Sequence, residues 1–269
     1  MVISLLNNVT SLQAENQLNQ TNASLQNTLV QLSSGSRLNS GADDPAGLSI
    51  ADSLQANITQ LNQASNNANT GIGLLQTADG SLGQVTNLLN RAITIATEAA
   101  NGGLTTSQAA ALDNEFTSIK AEIDRIGSQT TFNSTNVFTG STTSIFLGSA
   151  SNSIGVTIAT LSSSALNLSS DSLTSTANAS QALIDINAAV STVAQDRGTI
   201  GATLNRLTDA QNVIANQVTN LTSAQNLIRS ANIPQDVSQE AQYSVLEQTG
   251  ISALTQANQS TQSILKLFQ

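Results

Sequence analysis

The chain has no cysteine, no histidine and no tryptophan in 269 residues, and only one tyrosine, five phenylalanines and two prolines. Without cysteine there is neither a disulfide framework nor a thiolate nucleophile. Without histidine the side chain that most readily titrates near neutrality, and the commonest metal ligand, is missing. Catalysis would need paired carboxylates or a Ser–Lys arrangement, and no motif supplies one. Aromatic residues make up 2%, and compact cores lean heavily on such side chains, so thin helix bundles packed with Leu, Ile, Val and Ala are favoured. Charged residues are 9%, against roughly 25% in ordinary soluble domains. The net charge is −9, and the eight basic residues stand singly at Arg37, Arg91, Lys120, Arg125, Arg197, Arg206, Arg229 and Lys266. Nucleic-acid binding needs clustered cations and stacking aromatics, so that class is excluded. No apolar run approaches the ~18 residues of a membrane span. The opening Met-Val-Ile-Ser-Leu-Leu-Asn-Asn has no basic segment and no small-residue cleavage site, so no cleaved secretory signal is expected.

In place of charge, about 45% of the chain is Ser, Thr, Asn or Gln, high for a soluble domain. Such a surface is hydrated but lacks the repulsion that keeps monomers apart. Within it run two heptad ladders. The later one steps by three and four through Leu183, Ile186, Val190, Val193, Arg197, Ile200, Leu204, Leu207, Gln211, Ile214, Val218, Leu221, Gln225 and Ile228. A stripe repeating every 3.5 residues keeps one seam facing a partner helix, and this helix would be on the order of 70 Å long. The earlier ladder runs through Leu54, Ile58, Leu61, Ser65, Ala68, Ile72, Leu75, Asp79, Leu82, Thr86, Leu89, Ile93 and Ala96, with a wetter seam at its three polar members. Arg197, Gln211 and Gln225 either fix register between the two ladders or face solvent at the edge of a broad bundle.

Residues 2–32 and the segment after Val237 read as weakly amphipathic helices. The first carries Leu5, Val9, Leu12, Leu18, Leu25, Leu29 and Leu32; the last carries Val245, Ile251, Leu254, Ile264, Leu265 and Phe268. Helices this weak are marginal alone, so both are expected to gain order against each other and against neighbouring subunits. Ser33 to Ser36 breaks the first helix, and Asp44-Pro45 opens the second as N-cap and first helical residue. Asp43–Asp44 could suggest a metal or acid–base pair, but capping explains it better. Asn101-Gly102-Gly103 ends the long helix, and Thr105-x-x-Gln108 starts a shorter one to about Ile126 with a capping box. Gly71-x-Gly73 and Gly80 to Gly83 lie inside a helical ladder and do not form a phosphate loop. No cofactor or metal site is expected. Ile145–Leu147 and Val156–Ile158 read as a β-hairpin with Gly148 and Gly155 near its bend, and Ser162 to Thr176 as an exposed low-complexity connection. The expected fold is mainly α: an elongated antiparallel coiled-coil or helix bundle with a small β-hairpin, the terminal helices forming a second coiled coil.

Several blocks carry a family resemblance. Leu32-Ser-Ser-Gly-Ser-Arg-Leu-Asn-Ser-Gly-Ala-Asp-Asp-Pro-Ala-Gly-Leu-Ser-Ile-Ala51 resembles the hallmark N-terminal segment of bacterial flagellin. Arg91 followed by Glu98-Ala-Ala-Asn-Gly102, Glu122-Ile-Asp-Arg-Ile126 leading to Phe132-Asn133, and Leu254-Thr-Gln-Ala-Asn-Gln259 followed by Ile264-Leu-Lys-Leu-Phe268 are similar to further blocks. The resemblance covers roughly residues 1–140 and 178–269 and implies a short flagellin without large outer domains. It implies an inner-tube domain of residues 1–42 and 232–269, and a coiled-coil rod domain of 43–231 with its hairpin region at about 130–176. It also implies self-assembly into the helical filament of the bacterial flagellum, outside the cell, after export without a cleaved signal. The implied partners are copies of itself, a flagellar export chaperone gripping the last helix, and hook-associated and cap proteins. Subunit packing falls to Leu5, Val9, Leu12, Leu25, Leu29, Leu32, Ile251, Leu254, Ile264, Leu265 and Phe268, with Arg37, Asp43 and Arg91 as polar interface candidates. A hook–filament junction protein, which shares the terminal helices, and a secreted coiled-coil adhesin are the alternative readings.

Overall fold

A computed structural model of the chain describes residues 8–149 and 152–267. It is mainly α, with five helices among the described residues: α1 (Val9–Ser34), α2 (Pro45–Ala99), α3 (Thr106–Gln129), α4 (Thr176–Arg229) and α5 (Ile233–Leu267). Two antiparallel hairpins lie between α3 and α4: β1 (Thr131–Phe132) with β2 (Thr135–Asn136), and β3 (Thr142–Ser149) with β4 (Asn152–Thr157). The chain forms two compact units, Met1–Ile58 with Asn220–Gln269, and Thr59–Thr219. They are called here the terminal unit and the central unit.

Local chemistry accounts for the breaks. Gly35 takes a left-handed φ of +65°, the ordinary way to end a helix such as α1. Asp44 accepts from the Gly47 amide at 3.0 Å, so it caps α2, and Pro45 occupies the first helical position as expected. Thr105 and Gln108 form the capping box that opens α3. Asn133 and Ser134, both at positive φ, make the tight turn of β1–β2, which the sequence reading did not anticipate. In the second hairpin Gly155 pairs with Ser144 in mid-strand, so it lies away from the bend. Gly148, at φ +102°, lies beside a register shift between Phe146 and Ser149.

The apolar core lies within the central unit. Leu75, Val85, Leu89 and Ile95 of α2, Phe116 and Ile123 of α3, and Ile186, Val193 and Leu207 of α4 are fully buried in one cluster. Ile145, Leu147, Ile154 and Val156 join it from the hairpin, through the alternation expected of a strand with one covered face. The segment 162–176, expected to be an exposed connection, is instead part of this core. Leu166, Leu168 and Leu173 are buried. Asp124 of α3 accepts from the Ser163 amide and hydroxyl at 2.7 and 2.9 Å, and Asp113 from the Leu173 amide at 2.6 Å. Three leucines and two carboxylate anchors on α3 therefore outweigh a serine-rich composition.

Candidate functional site

On α4 the structure buries Ile186, Val193, Ile200, Leu207 and Ile214, each seven residues from the next, while Leu183, Val190, Leu204, Val218, Leu221 and Ile228 are half-buried. On α2 the ladder residues Ile58, Leu75, Leu82 and Leu89 are buried, and Leu54, Leu61 and Ile72 half-buried. The fully buried arc of α2 includes a position next to the expected one. Ala64, Gly71, Ala78, Val85, Ala92 and Ala99 recur every seventh residue inside the core, and Ser65, Asp79, Thr86 and Ile93 flank them half-buried. These mostly small residues let neighbouring elements approach closely. A methyl placed on Gly71 would overlap the Ile145 side chain of the hairpin.

All three polar members of the α4 ladder reach α2. Arg197 donates to Asp79 at 2.8 Å and Gln211 to Asn69 at 2.6 Å in the central unit. In the terminal unit Gln225 donates to Gln55 at 3.0 Å and to the Ala51 carbonyl at 3.3 Å. Pairing at fixed rungs two heptads apart favours one register, and a slip would leave the buried Gln225 side chain unmatched. Of the two readings left open for these residues, the structure supports register.

The terminal unit pairs α1 with α5. The Asn8 side chain reaches the Ala257 carbonyl, Ser11 bonds Asn258, and Leu18 lies against Gly250, so the two helices are antiparallel. The covered stripe of α1 is Ser11, Ala14, Leu18, Thr21, Leu25, Thr28 and Leu32; that of α5 is Asp236, Glu240, Tyr243, Glu247, Gly250, Leu254 and Ala257. Both follow three-four stepping, but they are mixed and wet. Their buried members are Thr21, Thr28 and Asp236. The apolar residues of the terminal helices therefore split into two sets. Leu25, Leu32 and Leu254 lie half-buried on the α1–α5 seam. Val9, Leu12, Leu29 and Val30 of α1, and Val237, Val245, Leu246 and Ile251 of α5, are exposed, Val9 and Leu12 by 59% and Val245 by 65%. The reason is a slip in phase. Leu12 precedes Leu18 by six residues, one short of a heptad, which turns it roughly 100° away from the seam. Ile264 and Leu265 lie in the last turns of α5, and Leu5 and Phe268 fall outside the described residues.

The three polar candidates are all engaged within the chain. Arg37 donates through its guanidinium to the Ile228 carbonyl at 3.0 Å and through its amide to the Arg229 carbonyl at 2.8 Å. Asp43 accepts from the amides of Asn39 and Ser40 at 2.9 and 2.8 Å, which hold its carboxyl below its ordinary pKa. Arg91 meets Glu115 of α3 at 2.6 Å, and that hydrogen bond lowers the Glu115 pKa. Among the described residues no group of three or more potential ligands could hold a metal, and no helix is long and apolar enough to cross a membrane.

Comparison with known proteins gives a consistent result. The bacterial flagellin N-terminal helical region matches residues 5–143, and the bacterial flagellin C-terminal helical region matches 183–268. A flagellin of Halalkalibacterium halodurans is 31% identical over 249 residues, covering 91% of this chain and 92% of the relative. The flagellar filament 33 kDa core protein of Treponema phagedenis is 30% identical over 281 residues, covering 97% and 98%. The crystal structure of Bacillus cereus flagellin superposes with a TM-score of 0.51 at 30% identity, over 60% of this chain and 94% of that one.

Proposed function

We propose that this chain, which belongs to the bacterial flagellin family and is a filament subunit of the flagellum, assembles through the outward apolar faces of its terminal unit. The carrying observation is the contrast between the two units. The continuous apolar core lies within the central unit, whereas the α1–α5 pair of the terminal unit buries Thr21 and Thr28 and leaves Val9, Leu12, Val30, Val245 and Ile251 uncovered. Apolar faces on paired helices gain most when neighbouring copies cover them. One head-to-tail contact, repeated without closing, then generates an open helical polymer.

Flagellins are a structural protein family, and relatives form the extracellular filament. On this reading the chain plays a structural part, with no catalytic role, in the filament outside the cell. The same exposed face of α5 suits a chaperone groove before assembly, in the helix-in-groove manner, and hook-associated and cap proteins meet it at the filament ends. Residues 1–42 and 232–269 form the inner domain, with Val9, Leu12, Leu29 and Ile251 as its outward packing residues. Leu25, Leu32 and Leu254 hold its helix pair together. Arg91 and Arg37, exposed beside their internal partners, supply further polar contacts between copies.

The test is elongation of filament seeds, followed by electron microscopy. Deleting residues 237–269 should abolish elongation while α2–α4 remain helical by circular dichroism. Val245→Asp with Ile251→Asp should do the same with no loss of monomer stability. Unimpaired growth of either variant would overturn the assignment.

A further inference from the structure

The central unit contains a small recess of about 160 Å³, lined by Leu82 of α2 and Ile200 of α4 together with Thr157, Thr160 and Thr192; the Thr192 hydroxyl donates to the Ala188 carbonyl and that of Thr157 bonds Thr142. Asp196 of α4 is part of the lining of this recess. Among the described residues it has no hydrogen bond and no ion pair, since its neighbour Arg197 is committed to Asp79. Elsewhere in the central unit Glu115 and Glu122 face arginines, and Asp113 and Asp124 accept backbone amides, whereas Asp171 keeps one buried carboxyl oxygen without a partner. Asp196 is half-buried, and burial holds its carboxyl above the ordinary pKa.

On the cationic side Arg91, Arg125 and Arg197 are paired, and Lys120 donates to the Asp171 carbonyl over the Phe116 ring. Arg206 is exposed on α4 and has no partner among the described residues. It lies fourteen residues beyond Thr192, two heptads along, and therefore on the helix face that carries the recess. One chain thus presents an unmatched recessed carboxylate and an unmatched guanidinium on one face of the same helix.

We propose that the Asp196 recess is a socket for the Arg206 guanidinium of a second copy of this chain. The planar fork can reach the carboxylate while its stem covers the apolar wall. The threonine hydroxyls of the lining can accept the remaining N–H groups. This rests on the filament reading above and adds a named polar contact to it.

The test uses the full chain in seeded elongation, reading the critical monomer concentration for Asp196→Asn, Arg206→Gln, the double variant and the charge exchange Asp196→Arg/Arg206→Asp. Each single change should raise that concentration about tenfold, the double variant should be no worse than either, and the exchange should recover most of the loss. Thermal melting of the monomer guards against misfolding: Asp196→Asn should leave it unchanged or raise it, because a recessed unpaired charge is removed. Effects that multiply in the double variant, a shift below about twofold for Asp196→Asn, or coupling to Arg229→Gln in place of Arg206→Gln would overturn the proposal. If the unaltered chain fails to elongate seeds, the filament reading fails; if it elongates and the variants match it, only this contact does.

Discussion

Two alanine substitutions in long helices of the central unit should move stability in opposite directions. Gly80 in α2 and Gly127 near the end of α3 both have helical backbone, and replacing Gly by Ala in a helix interior is favourable by about 0.8–1.0 kcal/mol. At Gly80 a new methyl meets nothing within 4 Å, so Gly80→Ala should realise most of that gain. At Gly127 the methyl would overlap the backbone carbonyl oxygen of Leu161, which cannot rotate aside like a side chain. The Gly127 carbonyl also accepts from Asn136 at 3.0 Å, so moving α3 away disturbs the first hairpin. Overpacking of this kind costs about 1–3 kcal/mol, which exceeds the propensity gain. Gly127→Ala should therefore lose up to about 2 kcal/mol net. For a unit of this size each kcal/mol shifts the midpoint by about 2–4 °C. Urea unfolding followed by circular dichroism at 222 nm, with an unchanged slope, measures both. A gain at Gly127 equal to that at Gly80 would refute the close approach of segment 161–166 to α3.

Leu207→Ala, at a fully buried seam position of α4, should cost about 2–5 kcal/mol, read by the same unfolding curve. Arg197→Ala should cost less, about 0.2–1 kcal/mol, because both partners of its ion pair are about 40% exposed; a loss above that range would show that the pair is shielded from solvent. Asp171 has a carboxyl oxygen that is buried without a partner, and burial, with Asp185 nearby, raises its pKa above 3.8. The folded state therefore holds this proton more tightly than the unfolded chain, so stability is lost as pH rises from 3.8 through the raised value. Asp171→Asn should flatten that part of the pH–stability profile, and an unchanged profile would refute the assignment. Thr21→Val with Thr28→Val should increase protease resistance of the α1–α5 pair in the monomer. Both hydroxyls bond only to carbonyls four residues back in their own helix, so no partner is orphaned.

The ladders were legible because a seven-residue repeat in the sequence becomes a stripe on a helix without further information. On α4 the expected residues Ile186, Val193, Ile200, Leu207 and Ile214 are the buried ones. On α2 the buried arc extends to Ala64, Gly71, Ala78 and Ala92, residues too small to stand out in a search for large apolar side chains. A helix covered on several sides buries a wider arc than a two-helix seam, and periodicity does not report how many neighbours a helix has. The segment 162–176 was misread for a related reason. Its three leucines are diluted by serines, and the acids that anchor it, Asp113 and Asp124, lie some 40–60 residues earlier in the chain. Arg37, Asp43 and Arg91 could be picked out as polar residues worth attention. That their partners are the α4 carbonyls, a local loop and Glu115 depends on tertiary placement that spacing cannot supply.

The polarity of the terminal seam follows from what the unit has to do at two times. Before assembly a subunit with strongly apolar paired helices would bury its leucines internally and leave little for neighbours, or aggregate through whatever remained exposed. A seam of Thr21, Thr28, Glu240 and Glu247 gives direction and register while adding little burial free energy, because polar seam residues specify pairing more than they stabilise it. The apolar side chains of Val9, Leu12, Val30, Val245 and Ile251 stay on the outside, where, on the function proposed above, neighbouring copies cover them. On that proposal, burial free energy that in the central unit holds one chain together serves in the terminal unit to join many.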